Sequence, residues 1–253
     1  MSTRQALSLF SGGLDSILSV KIIEEQGVDV IGVFFESPFF SSEKASQSAY
    51  CIGLPLQVVD ITDRFLPIVL SPRHCYGKGL NPCIDCHKLM LRLGGEMLKE
   101  EGADFIISGE VLGQRPMSQN LRSVAFSRRL KDLISRDPKF SRRDIELLKW
   151  GRHFRINEGV KIIVGRDQKD NRMITSLIKA GDTVLTVESF PGPTVLVTGK
   201  LSSEEIQLAA SITVSYSDAA IGQKVAVQLK RDSQYWTVLA LGIKKSNFQQ
   251  LMI

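Results

Sequence analysis

The sequence predicts an α/β protein with a parallel, doubly wound sheet, followed by a smaller α+β domain. Continuous runs of Val, Ile and Phe alternate with helical segments between residues 5 and 110, which is typical of strands buried on both faces. After residue 120 the chain becomes basic and helical, and from residue 160 it turns to short Val/Ile/Thr runs separated by Gly, Pro and Asp. A length of 253 residues has room for two modest domains.

The first three elements make a βαβ unit. Residues 5–10 are a predicted strand, 14–26 a helix closed by Gly27, and 28–37 a second strand. The alternation continues with predicted helices and strands at 41–54, 56–61, 86–103 and 104–110.

Beyond this region the elements change in kind. Residues 127–156 are predicted to be helical with a break at Pro138, and a further helix is expected near 202–212 among short strands. We expect three parts, a sheet domain over 1–120, a basic helical connector over 121–150 and a final domain over 151–253.

Charge is distributed unevenly along the chain. The net charge is +5, but residues 1–120 carry 10 basic and 14 acidic side chains, whereas residues 121–253 carry 22 and 13. A basic half favours a polyanionic partner. No apolar run is long enough to cross a bilayer and no signal-type segment starts the chain, so we expect a cytoplasmic protein without membrane contact.

The stretch Ser11-Gly12-Gly13-Leu14-Asp15-Ser16 interrupts the first strand and opens the first helix. Glycine lets the backbone approach a ligand closely, and a helix N-terminus offers free N–H groups and the positive end of its dipole. The stretch therefore predicts phosphate binding. It lacks the lysine of a Walker loop, so the ordinary NTPase scheme does not apply.

Three segments follow directly after predicted parallel strands. Ligands bind at the carboxyl edge of such sheets, so these segments are expected to converge there. They are residues 11–16, Glu36-Ser37 and Ser108-Gly109-Glu110.

The SGGLDS sequence resembles the pyrophosphate loop (PP-loop) of the ATP pyrophosphatases, which share an adenine nucleotide alpha hydrolase-like fold. The resemblance implies that ATP binds here and that Asp15 helps to position Mg²⁺. It implies pyrophosphate contacts from the N–H groups of Gly12, Gly13 and Leu14 and from the hydroxyls of Ser11 and Ser16. It also implies that Glu36 and Ser37 lie near the adenine or the ribose.

A second motif is Cys83-Ile84-Asp85-Cys86. By itself a CxxC pair serves as half of a zinc knuckle, a redox pair, half of an iron–sulfur site or two inert thiols. Zinc would need further ligands from His74, Cys75, His87 or Cys51. Cys51, within a helical pattern, is expected to be a small core residue.

The longer stretch NPCIDCHK, residues 81–88, resembles the cysteine motif of tRNA thiouridine synthases. This resemblance implies that Cys83 and Cys86 are catalytic, either as persulfide carriers or as ligands of an iron–sulfur cluster such as [4Fe–4S]. A three-cysteine cluster would take Cys75, Cys51 or a cysteine of another subunit, which makes a homodimer one expectation.

SGEVLGQRPMSQ, residues 108–119, resembles the GE-x-x-GQ segment of the same enzymes. The resemblance implies nucleotide contacts from Gly109, Glu110 and Gln114, and an RNA contact from Arg115. The plain alternative is a strand-to-helix loop.

The later stretch with Val164-Gly165-Arg166, Asn171 and Pro191-Gly192 resembles the NFACT-R domain, a small RNA-binding module. This implies an RNA surface beside the synthase part. The predicted phosphate contacts are Arg152, Arg155, Arg166, Lys169 and Arg172.

Together the motifs predict an enzyme that uses ATP to adenylate a tRNA uridine carbonyl oxygen and then transfers sulfur from a persulfide or sulfide donor. One alternative is a PP-loop amide or nitrile synthase that uses a nitrogen donor. The other is a non-catalytic RNA-binding adapter that keeps only the fold.

Overall fold

A computed structural model describes residues 4–111, 121–137 and 139–253. The chain forms two compact units, Met1–Ser127 and Arg128–Ile253, each with its own sheet. The boundary between them falls within helix α5 (Val124–Arg136). The finer division at residues 120 and 150 stays a prediction.

The first unit contains the predicted parallel sheet. Its four strands lie in the order β3-β2-β1-β4, and every neighbouring pair is parallel. The strands are β1 (Gln5–Leu9), β2 (Asp29–Glu36), β3 (Leu56–Asp60) and β4 (Phe105–Ser108). The helices are α1 (Leu14–Glu24), α2 (Glu43–Ile52), α3 (Thr62–Leu70) and α4 (Cys83–Glu101). The α/β fold class is confirmed.

Helices cover both faces of this sheet. On one face Ala6 packs with residues of α1 and α2 such as Val20 and Ala49. On the other face α4 comes so close that a Cβ at Gly94 would lie 3.2 Å from a methyl group of Leu9 and 3.3 Å from one of Ile106. Because successive strand residues point to opposite faces, the burial of Ala6, Leu7 and Ser8 shows that both sides of β1 are covered.

The second unit is built on a six-stranded antiparallel sheet in the order β10-β9-β7-β8-β6-β5. The strands are β5 (Arg152–Arg155), β6 (Lys161–Val164), β7 (Thr183–Val187), β8 (Val195–Thr198), β9 (Lys224–Arg231) and β10 (Gln234–Leu241). Its helices, besides most of α5, are α6 (Arg142–Leu147), α7 (Gln168–Ser176) and α8 (Ser203–Ser215). On one face Ile162 and Val197 join the core with α8, and on the other Ile163 and Leu196 pack with α6 and α7.

Several elements differ from the predictions. Residues 152–155, predicted to be helical, form strand β5, because Arg152–Arg155 pair with Lys161–Val164 of β6. Helices α3 and α7 were not predicted. Cys51 was expected to be buried but is exposed, because α2 buries Ala45 and Ala49 instead. Among the described residues, no helix is long and apolar enough to cross a membrane.

Candidate functional site

The loop after β1 requires glycine at position 12. Gly12 has a φ of +71°, in the left-handed region, and a Cβ there would lie 2.7 Å from the Cα of Ala45. The hydroxyl of Ser48 donates a hydrogen bond to the Gly12 carbonyl oxygen over 3.1 Å. The loop therefore packs directly on α2, and this close contact fixes the position of its backbone.

Hydroxyl groups line the same loop. The Ser16 hydroxyl donates to the Gly13 carbonyl oxygen over 2.8 Å, and the Ser11 hydroxyl lies 3.3 Å from both the Ser16 hydroxyl and the Gly13 nitrogen. Gly13 is the N-cap of α1, so the first N–H groups of that helix have no partner within it. Leu14 and Asp15 are exposed there, whereas Ser16 is buried. The loop thus places the N–H groups that an anion site requires at the start of α1, beside two hydroxyls that bond within the loop.

The segment after β4 packs on the first turn of α1. A Cβ at Gly109 would lie 2.6 Å from both the carbonyl carbon of Asp15 and the Cα of Ser16. Only glycine permits this contact. The predicted convergence of the loop and the end of β4 is therefore confirmed.

Residues at the end of β2 form hydrogen bonds at the start of α2. One carboxylate oxygen of Glu36 accepts hydrogen bonds from the backbone nitrogen and the hydroxyl of Ser42, at 2.9 and 2.7 Å. Ser37 is buried and its hydroxyl accepts from the Phe39 nitrogen over 3.2 Å. These bonds give both residues a structural role, and their contact with adenine or ribose stays a prediction.

The two cysteines of the CxxC motif lie in the first turn of α4. The helix begins at Cys83, and residues three positions apart share one face of a helix. Both cysteines are half-buried. The positive end of the helix dipole favours negative charge at this turn. The helix that the sequence predicts over residues 86–103 thus begins at Cys83, three residues earlier, and includes both cysteines.

Asp85, between the two cysteines, ties this turn to the preceding loop. Its carboxylate accepts from the His74 backbone nitrogen at 3.0 Å and lies 2.7 Å from the His74 ring Nδ1. The backbone bond, followed by the ring bond, lowers the pKa of Asp85. Cys75, next to His74, has a φ of +62° and is exposed. The bonds between His74 and Asp85 thus fix the chain on one side of Cys75.

A second histidine links α4 to the edge of the sheet. His87, directly after Cys86, places its Nδ1 2.9 Å from a carboxylate oxygen of Glu110, which follows Gly109. The loop therefore contacts Gly109, the adjacent Glu110 contacts His87, and His87 is the chain neighbour of Cys86. Sequence reasoning considered His87 only as a zinc ligand and missed this pair. The signal was present, since His87 follows a cysteine motif and Glu110 follows a strand end.

The predicted metal sets are not assembled. In the part of the chain that the structure describes, no three His, Cys, Asp or Glu side chains are grouped to bind a metal ion. The three-cysteine set of Cys75, Cys83 and Cys86 and the zinc alternatives therefore stay predictions. Gln114 and Arg115 lie outside the described residues.

The predicted RNA contacts in the second unit fall into two groups. Arg155 and Arg166 are engaged with carboxylates, with Arg155 Nε 3.1 Å from Asp132 and a terminal nitrogen of Arg166 3.1 Å from Asp170. The others are free of such pairs among the described residues. Arg152 lies over the Tyr216 ring, Lys169 lies over the Trp150 ring, and Arg172 is exposed.

The glycine and asparagine of the later motif have a structural explanation. A Cβ at Gly165 would collide with the side-chain oxygen of Asn171. That oxygen accepts a hydrogen bond from the Thr194 nitrogen over 3.0 Å, and the Gly165 nitrogen donates to the Thr194 carbonyl oxygen over 3.1 Å. The motif therefore joins the start of α7 to the start of β8.

Comparison with known proteins gives relatives for both parts. A tRNA-specific 2-thiouridylase of Clostridium acetobutylicum is 35% identical over 119 residues, covering 39% of this chain and 33% of that protein. A "Probable tRNA sulfurtransferase" of Caldanaerobacter subterraneus is 30% identical over 129 residues, covering 47% of this chain and 32% of that protein. The chain thus spans about a third of the length of these relatives.

Among solved structures, a 4-thiouridine synthetase–RNA complex with bound ATP is 26% identical with a TM-score of 0.37, covering 52% of this chain and 34% of that one. Residues 151–250 match the family described as "NFACT protein RNA binding domain". Residues 1–150 match the family described as "Thiamine biosynthesis protein (ThiI)". Because this last match spans more than half of the chain, the protein belongs to the ThiI family and carries an NFACT-R domain after its PP-loop part.

Proposed function

We propose that this protein uses ATP to thiolate a uridine of tRNA. The uridine carbonyl oxygen attacks the α-phosphate of ATP, and the bond to pyrophosphate breaks. The outer sulfur of a persulfide on one cysteine of the pair then attacks the carbon that carries the adenylated oxygen, and AMP leaves with that oxygen. The thiol of the other cysteine attacks the S–S bond, which releases the thiouridine and leaves a disulfide between Cys83 and Cys86. Adenylation is needed because a carbonyl oxygen is a poor leaving group, whereas AMP is a good one.

The observation that carries this proposal is the chain of contacts at the carboxyl edge of the first sheet. It runs from the glycine loop to Gly109 and continues with the Glu110–His87 pair, and His87 directly follows Cys86 in the chain. This connection supports placing the ATP site and the two thiols in one active site. Adenylation and sulfur transfer act on the same uridine, so they need these groups to be close.

In this mechanism the loop and two nearby carboxylates bind the phosphates of ATP and Mg²⁺. The loop N–H groups of Gly12, Gly13 and Leu14, with the hydroxyls of Ser11 and Ser16, stabilise charge on the departing pyrophosphate. Asp15 is exposed at the start of α1 and supplies the carboxylate oxygens that Mg²⁺ prefers. Magnesium, when bound, neutralises phosphate charge. Glu110 supplies a second carboxylate at this edge.

Cys83 and Cys86 handle the sulfur in this proposal. No disulfide joins the cysteines among the residues that the structure describes, which suits a persulfide carried on the pair. An iron–sulfur cluster on the same pair needs further ligands. Iron and zinc analysis of anaerobically purified protein decides between the two forms, and a protein without metal supports the persulfide.

The RNA-binding role falls to the second part, residues 151–253, while residues 1–120 carry the chemistry. Arg152, Lys169 and Arg172 contact phosphates, since none of them is paired with a carboxylate among the described residues. Phosphate contacts position an RNA without reading its sequence. The second part therefore binds the tRNA substrate by its shape and charge.

The test is pyrophosphate release with tRNA, followed by mass spectrometry of the nucleosides. Asp15→Asn lowers pyrophosphate release at least 100-fold. Cys86→Ser keeps pyrophosphate release but abolishes the thiouridine, because only the second step needs sulfur. Asp29→Asn is the matched control, since Asp29 is exposed at the opposite end of β2 and leaves both steps unchanged.

Equal pyrophosphate release by wild type and Asp15→Asn would contradict the proposal and favour the RNA-binding adapter. Loss of a deazapurine nucleoside from a deletion strain, in place of a thiouridine, would favour the amide or nitrile synthase.

A further inference from the structure

The second unit contains a cavity that the proposed function does not use. Its volume is about 390 Å³, within the range of small-molecule sites. It is lined by residues of α5, α6, β6 and the turns at the ends of neighbouring strands. The lining residues that matter here are Lys161, Ile163, Arg155, Lys200 and Arg231.

Lys161 is the unusual member of this lining. It is the first residue of β6 and is only 6% exposed. It shares a strand face with Ile163, because alternate residues point the same way, and both line the cavity. No hydrogen bond or ion pair within 4.0 Å joins its ammonium to another residue of the described ranges. Buried charges are otherwise almost always paired.

The charges around Lys161 do not balance. Asp132 and, more weakly, Asp144 favour the charged form of Lys161, but Asp132 already binds Arg155. Arg129 adds a further positive charge nearby. Asp144 and Asp182 both contact Arg143. Among the described residues, four carboxylates and six cations line the cavity, so positive charge is in excess even with Asp137 and with Glu158, which binds Arg136.

Two more cations line the same cavity without a carboxylate partner among the described residues. They are Lys200, which is exposed, and Arg231, which is half-buried. Burial, more than any neighbouring charge, lowers the pKa of Lys161 to about 8. The ammonium therefore still predominates at neutral pH and is poised to gain from an anionic partner.

We propose that this cavity binds a phosphate group, with the buried Lys161 ammonium as its main partner and Lys200 and Arg231 as further donors. Phosphate fits better than a carboxylate, because it carries up to two negative charges at neutral pH and three acceptor oxygens for three cations. The volume exceeds that of an inorganic ion and suits a mononucleotide. The phosphate comes from a free nucleotide or from an RNA strand.

The experiment is calorimetric titration of the full chain with three probes, inorganic phosphate, AMP and a 5′-phosphorylated oligoribonucleotide. Lys161→Met removes the charge and keeps the apolar stem, and we expect it to weaken binding at least tenfold. Lys224→Met is the matched control, because Lys224 is exposed on β9 outside the cavity, and its binding stays unchanged.

The probes separate the two sources of phosphate. Lys161-dependent binding of AMP identifies a nucleotide site, and Lys161-dependent binding of the oligonucleotide alone identifies an RNA contact. A measurement on the wild type guards against a misfolded variant: phosphate or the oligonucleotide should protect Lys161 from an acetylating reagent, read by peptide mass spectrometry. The proposal fails if no probe binds, or if binding is the same in Lys161→Met and no probe protects Lys161.

Discussion

The two candidate sites of this protein differ in how far apart their residues lie in the sequence. At the glycine loop, Ser11, Gly13 and Ser16 bond to one another within six consecutive residues. Around the cavity of the second unit, Asp132 bonds to Arg155 and Arg143 to Asp182. The first arrangement is local in sequence, and the second is assembled by the tertiary fold. A local site leaves a motif in the sequence, whereas an assembled one does not.

The largest expected effect concerns the close contact at the glycine loop. Gly109→Ala places a Cβ 2.6 Å from the backbone of α1, so either the loop or the strand end must shift. We expect the free energy of unfolding to fall by about 3 kcal/mol, in the range for overpacking. Pyrophosphate release should fall at least 100-fold. Urea unfolding and the pyrophosphate assay measure the two effects.

Gly95→Ala is the matched control for this substitution. Gly95 lies within α4, and a Cβ there meets no atom within 4 Å. Alanine is the better helix former, so this variant should gain about 0.5–1 kcal/mol and keep its activity. If Gly109→Ala behaves in the same way, the close packing of the two segments is not what fixes the loop.

A substitution at Lys161 in the cavity should raise the free energy of unfolding instead of lowering it, because the buried charge of Lys161 is unfavourable. The folded pKa of Lys161 is about 8, against an ordinary value of 10.5. The charged form is therefore disfavoured in the fold, at a cost of about 3 kcal/mol at most at pH 7. In buffer without phosphate, Lys161→Met should raise the free energy of unfolding by about 2 kcal/mol, measured by urea denaturation.

The pH dependence makes this prediction sharper. Between pH 8 and 10.5 the unfolded chain binds one proton more than the fold at Lys161, so the stability of the wild type rises with pH. The advantage of Lys161→Met should therefore shrink as the pH rises from 7 to 10. The groups that face Lys161 are Arg129 and Asp132 from α5, Arg155 from β5 and Asp144 from α6. A constant advantage would mean that the gain comes from packing and not from charge.

The separation of a site's residues along the chain also determines whether the site can be predicted from the sequence. The parallel sheet, the glycine loop and the meeting of the loop with Gly109 follow from strand patterns and glycine positions, which act over a few residues. The burial of Lys161 does not, because α5 and the strand ends that bury it are remote in sequence. Strand β5 was missed for a related reason. Its arginines suggested a helical surface, and the carboxylate that pairs with Arg155 is Asp132, more than twenty residues away.

The smallest effects separate structural from functional cations in the second unit. Arg166 and Lys169 are both exposed and were both predicted to contact RNA phosphates, but only Arg166 is paired with the buried Asp170. Burial raises the pKa of Asp170, and the hydrogen bonds from Arg166 and Gly151 outweigh it, so the net pKa is lowered. Arg166→Ala should therefore cost about 1.5 kcal/mol of stability.

Lys169→Ala should change stability by less than about 0.5 kcal/mol. Its effect should appear instead in RNA binding, where the slope of log affinity against log salt concentration falls by about 1. Filter binding of tRNA at several salt concentrations measures this slope. The assignment of Arg166 to the fold would be wrong if both variants lost RNA affinity equally while keeping their stability, because its bond to Asp170 would then stabilise nothing.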